Sequence, residues 1–227
     1  MLLLCSCASR LPWNNAAPAD EVNLAFNLHN NLLFLPSVTI NGRAGHFFFG
    51  SATPRTVIDA RFAPQLSGAD SKYTANFGNR VSIPFTPAVL DLGGTGDGLL
   101  GNDLFAGRAV TIDYRAGLVT YEKSGIHTES MKLFGFTGDP AIDVDVDGRR
   151  VSAIVDTTSP DTLTLPGANA SRRRAHVTVA GAAFPDVDIR TANTDRARIG
   201  NRLLSKFLVA IDYRNHVVGL WRDPRIP

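Results

Sequence analysis

Few side chains of this 227-residue chain stand in a pattern that could carry chemistry. The sequence contains no Ser-His-Asp series, phosphate-binding loop or dinucleotide fingerprint. The five histidines are scattered without metal-ligand spacing, so we predict neither a metal site nor a cofactor. Three consecutive arginines, Arg172 to Arg174, would either grip an acidic partner or form a solvated turn, and we favour the turn. The remaining candidate is Asp156, whose carboxylate could act as an acid or a base.

Asp156 lies within an internal repeat of the sequence. A shift of 106 residues aligns residues 38–57 with residues 144–163 without a gap, and Asp156 then falls on Gly50. A second block, which begins at Gly101, repeats at an offset of 99 and includes a second copy of Ile-Asp-Tyr-Arg. Two blocks in the same order are hard to obtain by chance. We therefore interpret the chain as two copies of one unit.

Each copy is predicted to be β structure. Short runs of β-branched or aromatic residues, such as residues 38–40 and 151–155, lie next to Asn41-Gly42 and Asp147-Gly148, which are typical of hairpin turns. A brief apolar cluster after each Gly-Asn dipeptide fits one short helix, and no long helical period is present. The sequence therefore predicts an all-β fold with two lobes, joined near residues 123–136.

The repeated unit resembles that of the aspartic peptidases of the retropepsin and pepsin type. Their unit is a strand that ends in two hydrophobic residues and Asp-Thr/Ser-Gly, followed later by two hydrophobic residues and a glycine. The second copy reads Ile154-Val155-Asp156-Thr157-Thr158 and then Arg198-Ile199-Gly200, and the first reads Phe48-Phe49-Gly50-Ser51-Ala52 and then Leu99-Leu100-Gly101. The resemblance extends from about residue 30 to residue 222. It implies two pseudo-symmetric β-barrel lobes in one chain, as in bacterial members of the family.

The resemblance also implies that the catalytic pair is incomplete. In the family each lobe provides one aspartate, and the two carboxylates share a proton because like charges a few ångströms apart cannot both ionise. Here Asp156 supplies one carboxylate, and Gly50 occupies the position of the other. General acid–base catalysis contributes about 10²- to 10⁴-fold. We therefore predict that proteolysis is lost or strongly impaired.

The positions next to the pair show which parts of the family's motif remain. Ser51 and Thr157 keep the second position, where the family's hydroxyls brace the two loops against each other, although they could also be ordinary strand residues. Ala52 and Thr158 replace the family's glycines at the third position and add bulk where the loops approach closely. This pattern is expected if the cleft is needed more than the hydrolysis.

Four other aspartates could replace the missing carboxylate, but each also has a structural interpretation. Asp59 is expected to start a turn, Asp103 to cap the short helix, and Asp113 and Asp212, at equivalent places, to share a structural task. Dimerisation could instead bring two copies of Asp156 together. The covalently attached first lobe competes with such a dimer at an effective concentration of order millimolar, so we predict a monomer.

Charge and the amino terminus narrow the class of protein. The net charge of +2 lacks the basic excess of a nucleic-acid binder, and no stretch of the sequence approaches a membrane span. Leu4-Cys5-Ser6-Cys7 resembles a bacterial lipobox, which predicts a lipid on Cys7 and a location in the cell envelope; a frayed apolar terminus is the alternative. We assign residues 1–22 to a truncated signal-like segment and tether, residues 23–125 to the first lobe and residues 126–227 to the second.

Three functions agree with these observations. The leading hypothesis is an envelope protein with an aspartic-peptidase-like fold that binds an extended peptide or protein segment in its interlobe cleft and does not cleave it. The first alternative is an active endopeptidase that uses Asp156 with an unidentified partner group. The second is a structural lipoprotein whose cleft is closed by side chains.

Overall fold

The computed structural model describes residues 21–66, 72–78, 80–122, 125–126 and 128–223. The predicted lipidation site Cys7 and the greater part of the predicted tether therefore lie outside the described residues. Val22, the last residue that we assigned to the tether, already belongs to the first strand and is buried. That boundary was wrong by one residue because Val22 pairs with Tyr121 in a sheet.

Short β-strands make up most of the described chain, as the sequence predicted. The strands of the first half are β1 (Val22–Ala25), β2 (Asn27–His29), β3 (Leu32–Phe34), β4 (Val38–Ile40), β5 (Arg43–Ala44), β6 (Phe47–Phe49), β7 (Val57–Asp59), β8 (Tyr73–Phe77), β9 (Val81–Phe85), β10 (Ala88–Leu90), β11 (Gly98–Leu100), β12 (Ala109–Asp113) and β13 (Leu118–Glu122). Those of the second half are β14 (Lys132–Gly135), β15 (Ala141–Val146), β16 (Arg149–Val155), β17 (Leu163–Pro166), β18 (Ser171–Val179), β19 (Ala182–Ala192), β20 (Ala197–Ile199), β21 (Leu208–Asp212) and β22 (Val217–Trp221). Helical segments among the described residues are the 3₁₀ turns Ala63–Gln65 and Asn102–Leu104 and the helix α1 (Asn201–Leu204). The last two follow the two Gly-Asn dipeptides, where one short helix each was predicted.

One six-stranded sheet joins the two halves of the chain. Its strand order is β1-β13-β12-β21-β22-β14, so three strands of the first half lie beside three of the second. At its centre β12 runs antiparallel to β21, with Thr111 opposite Ala210. Both of these strands end in the Ile-Asp pair of the repeated Ile-Asp-Tyr-Arg segment. The two copies of the repeated segment therefore lie on neighbouring strands of this sheet.

The remaining strands are arranged differently in the two halves. In the second half they form a closed barrel of order β15-β16-β20-β17-β19-β18, as predicted for each lobe. In the first half they form two sheets, of order β10-β7-β11-β6-β3-β2 and β5-β4-β8-β9. Among the described strands only the second half forms a closed barrel, so the predicted pseudo-symmetry of the two lobes is not confirmed.

An interrupted strand explains this difference. Strand β16 runs without a break over Arg149–Val155, whereas the aligned residues 43–49 form β5 and β6 with Gly45 and His46 between them. The backbone N–H of His46 is bound by the carboxylate of Asp97 at 2.7 Å, which takes it out of strand pairing. Because β5 and β6 then pair in different sheets, the first half does not close.

The turns and the core agree with the sequence pattern. Asn41-Gly42 and Asp147-Gly148 have positive φ at both residues (50° and 76°, 52° and 81°), the geometry of the tightest hairpin turns. Phe47 and Phe49 are fully buried, as expected of a strand that leads into the core. The buried apolar side chains form one cluster that runs through both halves.

Candidate functional site

Two loops, residues 50–56 and residues 156–162, meet at the centre of the molecule. The first follows β6, which is parallel to β11, and the second follows β16, which is parallel to β20. Gly50 donates its N–H to Leu100 O at 2.9 Å, and Asp156 donates its N–H to Ile199 O at 3.0 Å. Both loops are thus held in the same way by the strand that precedes Gly101 or Gly200.

The glycines of the repeated element are required by this packing. A Cβ on Gly101 would lie 2.6 Å from the carbonyl carbon of Arg55, and one on Gly200 would lie 2.4 Å from the backbone oxygen of Asp161. These contacts are with backbone atoms, so no side-chain movement could relieve them. The hydrophobic-hydrophobic-Gly pattern therefore reflects a close approach of each loop to its own strand.

Four hydrogen bonds join the two loops. Thr157 Oγ1 donates to Phe49 O at 2.6 Å and accepts from the Ser51 N–H at 2.9 Å. Reciprocally, Ser51 Oγ donates to Val155 O at 2.6 Å and accepts from the Thr157 N–H at 3.0 Å. Both side chains are fully buried. Ser51 and Thr157 therefore join the two loops and are not ordinary strand residues.

The carboxylate of Asp156 is bound by groups of its own chain. Oδ1 accepts from the Thr158 N–H at 2.9 Å and from Thr158 Oγ1 at 2.5 Å, and Oδ2 accepts from Arg198 Nη1 at 2.8 Å. The Asp156 side chain is 5% exposed and that of Arg198 is 35% exposed. Each carboxylate oxygen therefore already has a strong donor, and the negative charge faces a guanidinium.

The first loop offers neither a carboxylate nor room for one. A Cβ on Gly50 would lie 2.3 Å from Thr53 Oγ1 and 3.0 Å from Thr158 Cγ2. Thr53 belongs to the same loop, whereas Thr158 reaches over from the second loop. The bulk that the sequence predicted at Thr158 is therefore present, and Thr53 adds to it. Ala52, the other replaced glycine, is partly exposed.

None of the four aspartates weighed as substitutes is a hydrogen-bond partner of Asp156. Asp113 and Asp212 each accept two backbone N–H groups of the hairpin turn that follows, which is the shared structural task that the repeat predicted. Asp103 was expected to cap the short helix, but its Oδ1 accepts from the N–H and the hydroxyl of Thr56 at 2.8 and 2.6 Å. The expected cap was wrong because Thr56 provides two donors at once.

Asp59 lies at the end of β7 and fixes the turn that follows. The Arg61 guanidinium and the N–H groups of Leu92 and Arg61 donate to its carboxylate, and together they hold the pKa of Asp59 well below its usual range. A lowered pKa in the folded state means that the ionised form stabilises the fold above about pH 4 and that this contribution is lost as the pH falls further.

We therefore predict a pH-dependent effect of Asp59→Asn. The variant should be less stable than the native chain at pH 7, and the difference should shrink between pH 4 and pH 2, because the Asp59 carboxylate of the unfolded chain becomes protonated over this range while that of the folded chain stays ionised. Urea unfolding of both proteins at several pH values measures this. A difference that stays constant down to pH 2 would contradict the assigned role of the ionised carboxylate.

Two repeated tyrosines tie the loops to the central sheet. Tyr114 donates to Asn201 Oδ1 at 2.7 Å, and Tyr213 donates to Ser51 O at 2.9 Å. Desolvation raises the pKa of both tyrosines above the usual range, so both hydroxyls stay protonated and donate. Asn201 also donates to Thr157 O at 2.7 Å. Asn102, its counterpart in the repeat, has a buried Oδ1 without a hydrogen-bond partner among the described residues.

Arg198, Thr53 and the tyrosines were not predicted as parts of the site. Signals for two of them were present. Arg198 occupies a hydrophobic position of the family's element, where the first copy has Leu99, and a charge at that place calls for a buried partner. The tyrosines stand in the segment that repeats unchanged. Thr53 carried no comparable signal.

Other candidates from the sequence lie away from Asp156. The three arginines 172–174 belong to β18, not to a turn, and each is paired with an aspartate, at distances from 2.6 to 3.4 Å. Exposed pairs of this kind contribute about 0–1 kcal/mol each. Phe77 is fully buried and stacks on Tyr121, with ring centres 5.3 Å apart. Asn79 and His127 lie outside the described residues.

Comparison with known proteins does not assign the chain to a family. It matches no model of a protein family and none of the curated proteins. Within the described part of the chain, no group of three or more His, Cys, Asp or Glu side chains is placed to hold a metal ion. The described helical segments are too short to cross a bilayer.

Proposed function

We propose that the protein is an aspartic-peptidase-like protein that does not hydrolyse peptides and that binds an extended peptide or protein segment beside the two joined loops. The observation that carries this proposal is the state of Asp156. Both of its carboxylate oxygens are bound by Thr158 and Arg198, and Gly50 stands where a second carboxylate would be needed.

The chemistry of peptide hydrolysis explains why this arrangement is unsuited to catalysis. One carboxylate must take a proton from water while a protonated partner gives one to the reacting carbonyl or amine. The guanidinium of Arg198 is bound to Asp156 and cannot exchange its own proton in the accessible pH range. Both carboxylate oxygens of Asp156 already accept hydrogen bonds, from Thr158 and from Arg198. A base with a fixed counter-ion therefore remains, without an acid.

Two features near the joined loops support the binding of a peptide. Four hydrogen bonds hold the two halves together at the place where an interlobe cleft would lie. Strand β9 is an edge strand of its sheet among the described strands, and it packs near the 3₁₀ turn after Gly101. An extended peptide can add to such an edge through main-chain hydrogen bonds.

A cleavage assay tests the loss of hydrolysis. We expect no cleavage of a mixed peptide library between pH 3 and pH 7 by the native chain, by Asp156→Asn or by Gly50→Asp. Gly50→Asp should not cleave peptides, because Thr53 and Thr158 crowd the new side chain and Arg198 still neutralises Asp156. Mass spectrometry of the library before and after incubation gives the result. Cleavage by the native chain that disappears in Asp156→Asn would refute the proposal and favour an active peptidase.

A binding assay separates the proposal from a purely structural role. Addition of the uncut library should shift the amide NMR signals of residues 50–53 and 156–159, and Ala52→Trp should abolish these shifts by placing a large side chain on the first loop. Ala116→Trp, at an exposed position of the turn between β12 and β13, serves as the matched control. Unchanged spectra in the native chain would favour a structural protein with a closed cleft.

The location in the bacterial envelope rests on Cys7 and remains a proposal. If Cys7 carries a lipid, Cys7→Ser should move the protein from the membrane fraction to the soluble fraction, whereas Cys5→Ser should not. Equal fractionation of both variants and the native chain would remove the support for a lipid anchor.

A further inference from the structure

A cavity of about 390 Å³ lies at one end of the central sheet, outside the two loops of the candidate site. It is open to solvent and is lined by the start of β14, the end of β22 and the turn between β18 and β19. We call it the β22 cavity; the residues that matter for its chemistry are Lys132, Phe207, Leu220, Trp221 and Arg222. Its volume falls within the roughly 300–1,000 Å³ of small-molecule sites.

The β22 cavity has an apolar floor, and small residues line part of its wall. Phe207 and Leu220 are 4% and 1% exposed and close it toward the core. The turn residues 180–182, Ala-Gly-Ala, line the opposite side and keep the space open because they lack long side chains. A flat apolar group placed there would remove water from the aromatic and aliphatic side chains.

The charged groups of the β22 cavity all have one sign. Among the described residues, Lys132 and Arg222 line it and no aspartate or glutamate does. The guanidinium carbon of Arg222 lies 4.8 Å from the ring centre of Phe184, which holds the guanidinium plane by a cation–π contact. A guanidinium held in this way keeps its edge N–H groups in a fixed direction, suited to two parallel hydrogen bonds with a carboxylate.

We propose that the β22 cavity binds a small organic carboxylate with a flat apolar body. The carboxylate contacts Arg222 and Lys132, and the apolar body lies against Phe207 and Leu220. The site is independent of Asp156 and goes beyond the peptide binding proposed above. A phosphate or sulfate would satisfy the cations but would leave the apolar floor uncovered.

The test compares two ligands of the same shape by isothermal titration calorimetry. The native chain should bind 2-naphthoate at a single site, at least about tenfold more tightly than the neutral 2-naphthamide, since hydrogen bonds to charged groups are the stronger ones. Inorganic phosphate at the same concentration should not displace 2-naphthoate. Equal affinity for the acid and the amide, or displacement by phosphate alone, would overturn the proposal.

Matched variants locate the binding. Lys132→Met with Arg222→Met should weaken 2-naphthoate binding by about tenfold or more. Arg149→Met with Arg150→Met, which removes the same charge from exposed positions of β16, should leave it unchanged. Ala182→Trp should abolish binding by filling the cavity, and its circular dichroism spectrum shows whether the fold is kept. Equal losses in both double variants, or undiminished binding by a folded Ala182→Trp, would refute the assigned site.

Discussion

Replacing Thr157 with alanine is expected to lower the free energy of unfolding by about 2–6 kcal/mol. The hydroxyl of Thr157 serves two backbone groups of the first loop, the carbonyl of Phe49 and the N–H of Ser51. All three residues are fully buried, so water cannot replace the lost partner without entering the core. Each buried group left without a partner costs about 1–3 kcal/mol, and this variant leaves two.

Two further variants show whether the hydroxyl causes the loss. Thr157→Ser keeps both hydrogen bonds and removes only a buried methyl group, so we expect a loss of about 1 kcal/mol. Thr137→Ala, at an exposed position, should change stability by less than about 0.5 kcal/mol. Urea unfolding at pH 7 measures all three. Similar losses for Thr157→Ala and Thr157→Ser would mean that packing of the methyl group, and not the joining of the loops, makes Thr157 important.

The contact between Ser51 and Thr157 was expected from the resemblance to the aspartic peptidases, in which hydroxyls at the second motif position brace the two loops. The repeat places both residues at equivalent positions of the two copies. The all-β class could be predicted because runs such as residues 38–40 and turns such as Asn41-Gly42 carry their structural preference locally. The glycines Gly101 and Gly200 also mark backbone contacts that any copy of the unit must make.

The features that escaped prediction depend on partners distant in the sequence. Arg198 reaches Asp156 because β16 and β20 are parallel and in register, with Ile154 opposite Arg198. The open first half depends on Asp97 binding the N–H of His46, a contact between residues 51 positions apart.

The pairing of Asp156 with Arg198 leads to the second large expected effect. Arg198→Met should destabilise the protein by about 3 kcal/mol, since it leaves a charged carboxylate that is 5% exposed without its cation. The estimate lies at the lower end of the usual cost because Arg198 itself is 35% exposed, which lets water reach the site. Asp156→Asn should cost less, because the guanidinium that it leaves behind can turn toward solvent.

The double variant gives the decisive comparison. Arg198→Met combined with Asp156→Asn removes the cation and the anion together, so it should be more stable than Arg198→Met alone and clearly less destabilised than the sum of the two single changes. Arg196→Met is the matched control. Arg196 pairs with Asp139 at 3.2 Å, both side chains are 38% exposed, and its loss should cost less than about 1 kcal/mol.

Dependence on salt distinguishes the two ion pairs further. Added salt screens the exposed Arg196 pair and should reduce the small effect of Arg196→Met, whereas the larger effect of Arg198→Met should change little because ions do not reach a buried carboxylate. If the two variants behaved alike in size and in salt dependence, Asp156 would not be a buried charge that depends on Arg198. Its carboxylate would then be open to water, and the main argument against hydrolysis would fail. If they differ as expected, the residue that would serve as the base is already committed to holding the second loop in place.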